Sequence, residues 1–192
     1  MAPPTAIWLI RHGATEWSRN GRHTGSSDIP LLPEGEQEAQ LLAPMLAQQS
    51  FSRVWVSPLQ RAKRTCELAG LAPQAETLDD LREWDYGRYE GITTAEIRQT
   101  VPDWTVWSHG CPGGENANDL TRRCERLIEQ LLSCNGQVAL FAHGHLLRSL
   151  AATWIGQGAQ GGSHLILSTA TTSVLGFERE NRALMRWNAP CR

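Results

Sequence analysis

Hydrophobic positions along the chain follow two patterns, short continuous runs and repeats at helical spacing. The continuous runs predict buried strands over residues 6–10, 53–57 and 138–142. The helical repeats predict helices over residues 34–47, 59–69, 119–133 and 146–155. Two further runs predict a closing hairpin, residues 172–178 and 183–187, around Glu180, Asn181 and Arg182. Strands that alternate with helices predict an α/β fold with a mainly parallel sheet covered on both faces.

Three segments interrupt this alternation. Residues 18–33 are polar and rich in glycine, which predicts a loop over a site. Pro44 must kink or divide the helix predicted over residues 34–47. The segment around Trp104 and Trp107 is too broken for a long helix, so these tryptophans are either core residues or a cluster that closes the site. No linker or internal repeat is present, and we expect one domain over residues 1–192.

Composition and charge exclude several classes of protein. The chain is 41% hydrophobic and 20% charged, as is usual for a soluble globular protein. Its formal net charge of −2 gives no reason to expect nucleic acid as a partner. The N-terminus lacks the basic segment of a signal peptide, and no apolar stretch is long enough to span a bilayer. We therefore expect a cytoplasmic enzyme with no membrane partner.

The cysteines do not suggest a disulfide framework. There are five, an odd number, and no two form a C-x-x-C pair. Free thiols in a reducing compartment are the expected state, and Cys66 follows a helical repeat that predicts a core position.

The chemistry concentrates where two predicted strands end. The first strand stops at Arg11-His12-Gly13, and the strand over residues 138–142 stops at His143-Gly144-His145. Ligands of open α/β sheets bind beyond the carboxyl ends of the strands. A cation and two imidazoles at such ends predict one anion site, for which a phosphoryl group is the natural ligand.

Two more motifs carry charged side chains toward the same region. In Ser57-Pro-Leu-Gln-Arg61 a strand end opens a helix, and helix N-termini and arginine both favour phosphate. Arg64 lies three positions on, so one of the two arginines can be a solvated helix residue. A segment with two carboxylates among aromatic residues contains Glu83 and Asp85, and either can be a proton donor.

The remaining histidines have weaker contexts. His143-x-His145 has the spacing of two metal ligands, but the sequence offers no convincing third ligand, so we expect no metal. His23, His109 and His164 are interpreted as surface or lid residues.

These motifs together resemble the histidine phosphatase superfamily, which includes the cofactor-dependent phosphoglycerate mutases. Residues 11–17 match the R-H-G-x-T-x-W signature, and S-P-x-x-R-A, a glutamate followed by Tyr-Gly, and Ala-His-Gly follow in the same order. The resemblance runs from Ile7 to about Trp187. It implies the phosphoglycerate mutase-like fold, a three-layer α/β/α sandwich.

The resemblance also implies a mechanism without a cofactor. His12 would be the nucleophile that forms a phosphohistidine, and Arg11, Arg61 and His143 would hold the phosphoryl oxygens. Glu83, in preference to Asp85, would protonate the leaving oxygen and then activate water. Further expected substrate contacts are Ser18, Thr24, Gly25, Ser57, Tyr86, Gly144 and Arg148. Gly13 and Gly144 are expected to let the backbone approach the phosphate.

The interval from Glu83 to His143 favours a phosphatase over a mutase. It is short and lacks the arginine pair that holds a bisphosphorylated cofactor in mutases, since Arg122 and Arg123 fall on an amphipathic helix. The chain resembles broad-specificity acid phosphatases and the sedoheptulose bisphosphatase type, but it has Glu178 and Arg179 where the latter adds a histidine.

We therefore expect an enzyme that hydrolyses small phosphomonoesters such as sugar phosphates. The alternatives are a phosphoglycerate mutase and a phosphoprotein phosphatase or phospho-ligand binder. The expected partner is a small-molecule phosphate ester, and the chain is compatible with a homodimer.

Overall fold

The computed structural model describes residues 4–190, which form a mixed six-stranded sheet flanked by helices. The strands are β1 (Ala6–Arg11), β2 (Phe51–Val56), β3 (Ala75–Thr77), β4 (Gln137–Ala142), β5 (Thr171–Glu178) and β6 (Asn181–Pro190). The α-helices are α1 (Glu16–Asn20), α2 (Pro33–Gln40), α3 (Ala43–Leu46), α4 (Gln60–Leu68), α5 (Thr94–Arg98), α6 (Val106–His109), α7 (Ala117–Leu132) and α8 (Gly144–Trp154). Short 3-10 turns cover Ala72–Gln74, Asp79–Leu81, Gly87–Tyr89 and Ala159–His164.

The sheet has the strand order β3-β2-β4-β1-β5-β6. β1 and β2 both pair with β4 in parallel, and β3 pairs in parallel with β2. β5 runs antiparallel to β1, and β6 returns beside β5 as the predicted hairpin. The α/β class with a mainly parallel sheet is confirmed.

The core lies on both faces of the sheet because successive side chains of β1 point in opposite directions. Ile7 and Leu9 pack into the layer that contains α7 and α8. Trp8 and Ile10 pack into the layer that contains α3 and α4. The fold is therefore the three-layer α/β/α sandwich that the resemblance implies.

The structure corrects the predicted loop over residues 18–33. Its first residues belong to α1, because Thr15 and Ser18 form a reciprocal capping box that closes the helix N-terminus. Gly21 then ends the helix in the left-handed conformation, at φ 79°. Pro33 begins α2 rather than ending the loop. Further along, the predicted helix with Pro44 is divided into α2 and α3, as one of the two expected outcomes.

Gly13 is required by chain packing. A Cβ at Gly13 would lie 2.2 Å from the carbonyl oxygen of Gly35, and a Cβ at Gly35 would lie 2.1 Å from the carbonyl oxygen of Ala14. The two glycines therefore let α2 pack directly on the chain that follows β1. That the backbone at Gly13 also approaches a phosphate stays a prediction.

Gly35→Ala tests this packing away from the reacting groups. The added methyl meets backbone that cannot move freely, so we expect a loss of about 1–3 kcal/mol or more in the free energy of unfolding. Urea unfolding measures the loss. Gln40→Ala, an exposed change on the same helix, should stay within about 0.5 kcal/mol of the parent. Equal stability of the two variants would contradict the packing argument.

Candidate active site

The in-register pairing of β1 with β4 brings the two histidine motifs together. Arg11 lies opposite Ala142, and the N–H of His12 donates to the Ala142 carbonyl at 3.1 Å. The segments that follow β1 and β4 therefore leave the sheet side by side. The ring centroids of His12 and His143 are 5.3 Å apart.

A pocket of about 170 Å³ opens above these strand ends. Eight of the predicted site residues line it, namely Arg11, His12, Ser18, Thr24, Glu83, Tyr86, Gly144 and Arg148. The other four, Gly25, Ser57, Arg61 and His143, lie buried behind its wall. A larger groove of about 550 Å³ between α2, α4 and β3 contains none of the twelve, so its size does not make it the site.

His12 is held as a neutral imidazole. Its Nδ1 lies 2.7 Å from the Gly13 carbonyl oxygen, which can only accept, so Nδ1 carries the proton and donates. Burial, followed by the charges of Arg61 and Arg11, holds the pKa of His12 well below its usual value. The lone pair is therefore left on Nε2. Since His12 lines the pocket, Nε2 is the ring nitrogen that can react with a ligand there.

Arg11 presents part of its guanidinium to the pocket. Nη1 donates to the Leu167 carbonyl, whereas the buried Nε has no hydrogen-bond partner within the described residues. A Cβ at Gly144 would lie 3.3 Å from the Cζ of Arg11. Gly144 thus lets the start of α8 pack flat against this guanidinium, and an unpartnered buried N–H is well suited to an anion.

Glu83 is the pocket carboxylate, and three backbone N–H groups hold it. Oε1 accepts from Trp84 at 2.9 Å and from Leu146 at 2.8 Å, and Oε2 accepts from His145 at 3.0 Å. The last two donors belong to the first turn of α8, where a negative charge is favoured. Asp85 is exposed and accepts from the N–H of Gly87, outside the pocket wall. Glu83 therefore lines the same pocket as His12, and Asp85 does not.

Arg61 and His143 form a layer behind the pocket. Arg61 is fully buried, donates from Nε to His143 Nδ1 at 3.2 Å, and gives its other donors to the carbonyls of Thr24, Gly25 and Ser27. His143 Nε2 in turn lies 2.7 Å from Ser57 Oγ. Since Nδ1 accepts from Arg61, Nε2 carries the proton. These bonds fix the positive charge of Arg61 behind His12, while a direct contact to phosphate stays a prediction.

The pocket's outer wall contains two histidines outside the predicted set. Tyr86 is only 2% exposed, and its hydroxyl lies 2.6 Å from Nδ1 of His145. Burial raises the pKa of Tyr86 and lowers that of His145, so the phenol donates and Nε2 of His145 keeps its proton. His145, not the Tyr86 hydroxyl, is therefore the donor available to a ligand. The H-G-H motif was the signal that could have identified it.

Of the two interpretations of His23, surface or lid, the structure contradicts the surface one. It is 9% exposed, lines the pocket, and its ring centroid lies 4.8 Å from that of Tyr86. Burial lowers its pKa to about 4. No local motif marks it, because its burial comes from Tyr86 and the distant Trp104. His109 and His164 are exposed, as expected.

Arg148 supplies a second cation at the pocket. Its guanidinium lies 4.8 Å from the ring centroid of Trp107, and its Nε donates to the Gly162 carbonyl at 3.0 Å. Trp107 therefore supports the pocket wall, whereas Trp104 is a core residue that is 2% exposed.

Several sequence interpretations concern other kinds of site. Within residues 4–190 no group of three or more His, Cys, Asp or Glu side chains is arranged to hold a metal ion. Cys66, Cys111 and Cys124 are buried free thiols, Cys134 is a partly buried one, and Cys191 lies outside the described residues. In that same part of the chain no helix has the length and apolar composition needed to cross a bilayer.

Comparison with known proteins agrees with this geometry. The family model of the histidine phosphatase superfamily, branch 1, matches residues 7–190. An acid phosphatase of Mycobacterium tuberculosis is 38% identical over 93% of this chain and 89% of its own length. A sedoheptulose 1,7-bisphosphatase of Saccharomyces cerevisiae is 34% identical over 79% of this chain and 68% of its own. A probable phosphoglycerate mutase of Serratia proteamaculans is 31% identical over 94% and 89%.

The fold agrees with a solved structure as well. The product of a Mycobacterium tuberculosis open reading frame superposes with a TM-score of 0.92 at 34% identity, covering 98% of this chain and 99% of that one.

The buried histidines make stability depend on pH. The pKa values of His12, His23, His143 and His145 are all below the usual 6.5. Below about 6.5 the unfolded chain therefore binds protons that the folded chain does not. Stability is complete above that pH and falls as the pH drops, by up to about 1.4 kcal/mol per pH unit for each histidine. Urea unfolding from pH 7.5 to 4.5 measures this slope.

His23→Gln is the matched variant. It removes the histidine whose pKa is about 4, so the slope below pH 6.5 should become shallower by up to about 1.4 kcal/mol per pH unit. A slope identical to that of the parent would show that His23 is not buried as a neutral ring.

Proposed function

Because the chain belongs to branch 1 of the histidine phosphatase superfamily, we propose that it hydrolyses small phosphate monoesters through a phosphohistidine on Nε2 of His12. The observation that carries the proposal is the neutral, oriented imidazole of His12, which shares one pocket with Arg11 and Glu83. That set provides a nucleophile, an anion-binding cation and a proton carrier within a single small cavity.

In the first step Nε2 of His12 attacks phosphorus while the bond to the leaving oxygen breaks. The donation from Nδ1 to the Gly13 carbonyl stabilises the positive charge that develops on the ring. Arg11, which lines the pocket, binds phosphoryl oxygens, and the nearby positive charge of Arg61, which also acts on His12, favours the anion. His143 reaches the oxygens directly only if it gives up a present partner, because Arg61 and Ser57 occupy both of its ring nitrogens.

Glu83 moves the proton in both steps. It gives a proton to the leaving oxygen and later takes one from the water that attacks the phosphohistidine. Oε1 already accepts two N–H bonds, whereas Oε2 accepts one, so Oε2 is the oxygen that carries the proton. The first turn of α8 holds this oxygen on the pocket side.

Hydrolysis is favoured over phosphoryl transfer to a second substrate. Arg122 is exposed and pairs with Asp119, and Arg123 is bonded to Glu115, so neither adjacent arginine lines the pocket. Within the described residues, the pocket wall therefore contains no adjacent pair of arginines like the one that holds a bisphosphate primer in mutases. The mutase alternative predicts isomerised phosphoglycerate after priming with bisphosphoglycerate, faster than phosphate release.

The leaving group is proposed to be small and rich in oxygen, as in a sugar phosphate. The pocket holds about 170 Å³, and its outer wall presents donors from His145 and Arg148. Because the backbone N–H of His145 binds Glu83, these donors lie on the leaving-group side. The single domain over residues 1–192, the cytoplasmic location and the homodimer stay predictions.

His12→Ala tests the covalent step. Quenched turnover of the parent should trap acid-labile, alkali-stable phosphate on His12, and the variant should trap none and release no phosphate. EDTA should leave the rate unchanged, because the side chains supply the charge stabilisation. Activity of His12→Ala, or its loss on chelation, would contradict the mechanism.

A pair of substrates that differ by one hydroxyl tests the substrate class. The parent should prefer 2-hydroxyethyl phosphate to ethyl phosphate by about tenfold in kcat/KM, the worth of one hydrogen bond. His145→Phe should abolish this preference, and His145→Gln, which keeps a donor near Nε2, should retain part of it. The ratio cancels general damage to the site, so an unchanged ratio in His145→Phe would rule out this contact.

A further inference from the structure

Arg123 is a buried cation outside the pocket wall. It lies on α7 with its side chain 10% exposed, and all five of its N–H donors are used. Nε and one N–H of Nη2 bind the two carboxylate oxygens of Glu115 at 3.0 and 2.7 Å. The other three donors bind backbone carbonyls, those of Asp80, Arg82 and Glu83, at 2.9, 2.6 and 3.2 Å.

Glu115 holds the same segment from the other side. Its Oε2 accepts from the N–H of Asp85 at 2.9 Å, its own N–H donates to the Asp85 carbonyl at 2.9 Å, and its carbonyl accepts from the indole of Trp84 at 3.1 Å. Together the two residues bond to backbone at residues 80, 82, 83 and 85. We call this pair and its bonds the 115–123 clasp.

The segment that contains Glu83 needs these bonds because it has no regular secondary structure of its own. Between the 3-10 turns Asp79–Leu81 and Gly87–Tyr89 the chain is irregular, so no helix or strand ladder fixes Glu83. Gly114 packs against it without a side chain, since a Cβ there would lie 2.3 Å from the Asp85 carbonyl oxygen. The clasp therefore supplies the backbone bonds that regular structure supplies elsewhere.

A role in stability alone does not account for this arrangement. Burying an ion pair has a desolvation cost that its attraction often only balances, and apolar residues of similar volume serve as well. What an apolar pair cannot do is bind three carbonyls and an amide in fixed directions. The polar groups therefore determine position more than net stability.

We propose that Arg123 and Glu115 are positioning residues that set the distance of the Glu83 carboxylate from the leaving oxygen. The inference rests on the proposed role of Glu83 in proton transfer. A displacement of about 1 Å in a reacting group can cost about 100-fold in rate. Loosening the clasp should therefore slow the reactions that need a proton from Glu83 and spare those that do not.

The test is the dependence of kcat/KM on the leaving group. Arg123→Lys keeps the charge but loses the planar set of donors. Glu115→Gln keeps the shape but loses the charge and sets an NH2 group against a donor that now binds one of the two carboxylate oxygens. Both variants should lose about 10-fold to 100-fold on alkyl phosphates, whose leaving oxygen needs protonation. On an activated aryl phosphate the loss should be less than about threefold, because that leaving group departs unprotonated.

Two reference variants make the result specific. Glu83→Gln should show the same selective loss on alkyl phosphates, and larger. Arg122→Lys is the matched control, since the neighbouring Arg122 is exposed and pairs with Asp119 on its own helix, so it should behave as the parent. Urea unfolding of each variant separates loss of fold from loss of position, and Glu115→Gln serves if Arg123→Lys does not fold.

The outcomes separate the two proposals. A selective loss in Glu83→Gln with equal losses on all substrates in the clasp variants overturns the positioning role and leaves the mechanism standing. Equal losses on all substrates in Glu83→Gln overturn its acid role and the inference that rests on it. A selective loss in both sets supports the clasp as a positioning device.

Discussion

The in-register parallel pairing of β1 with β4 is the constraint on which the site depends. It continues one residue beyond the sheet through the bond from the N–H of His12 to the Ala142 carbonyl. The segments that follow β1 and β4 therefore leave the sheet at the same position along the two strands. A shift of one residue would turn every side chain of β1 to the opposite face, and Ile7 and Leu9 would leave their core layer. The core thus specifies the register, and the register places His12 beside His143.

That proximity brings positively chargeable side chains together, and their mutual repulsion favours an anion at this place. Two arginines and two imidazoles are buried within a few ångströms, and charging all four would be very unfavourable. The imidazoles respond by staying neutral, with their protons directed by Gly13 and Ser57. The arginines stay charged and face a single pocket carboxylate, Glu83. A phosphoryl dianion would supply the missing negative charge, and the arrangement of these groups is preorganised for it.

What the sequence predicts well is what its local patterns encode. Apolar runs and helical repeats predicted the long helices and every described strand except β3. The strand-end motifs predicted Arg11, His12 and Gly144 in the pocket wall, and the family resemblance implied Ser18, Thr24, Glu83, Tyr86 and Arg148 there. His23 and the clasp at Arg123 were not foreseen, since their burial depends on residues far away in sequence. Arg123 follows helical spacing on an amphipathic helix, and nothing local distinguishes it from the exposed Arg122. Tyr86 was expected to contact substrate, but its hydroxyl binds His145. That bond joins residues 59 positions apart, so no local pattern could have predicted it.

Glu83 is held at two places, at its carboxylate and at its backbone carbonyl. The carboxylate is held by the first turn of α8, which begins directly after His143 at the end of β4, so it moves with the part of the pocket wall that α8 forms. The backbone of the same residue is held by α7 through Arg123, on the other side of the segment. A side chain fixed at both ends cannot shift without breaking bonds to two helices of the same core layer. An irregular segment can therefore hold the proposed proton donor as accurately as a strand end holds the proposed nucleophile, and it needs a buried ion pair to do so because it lacks a backbone ladder of its own.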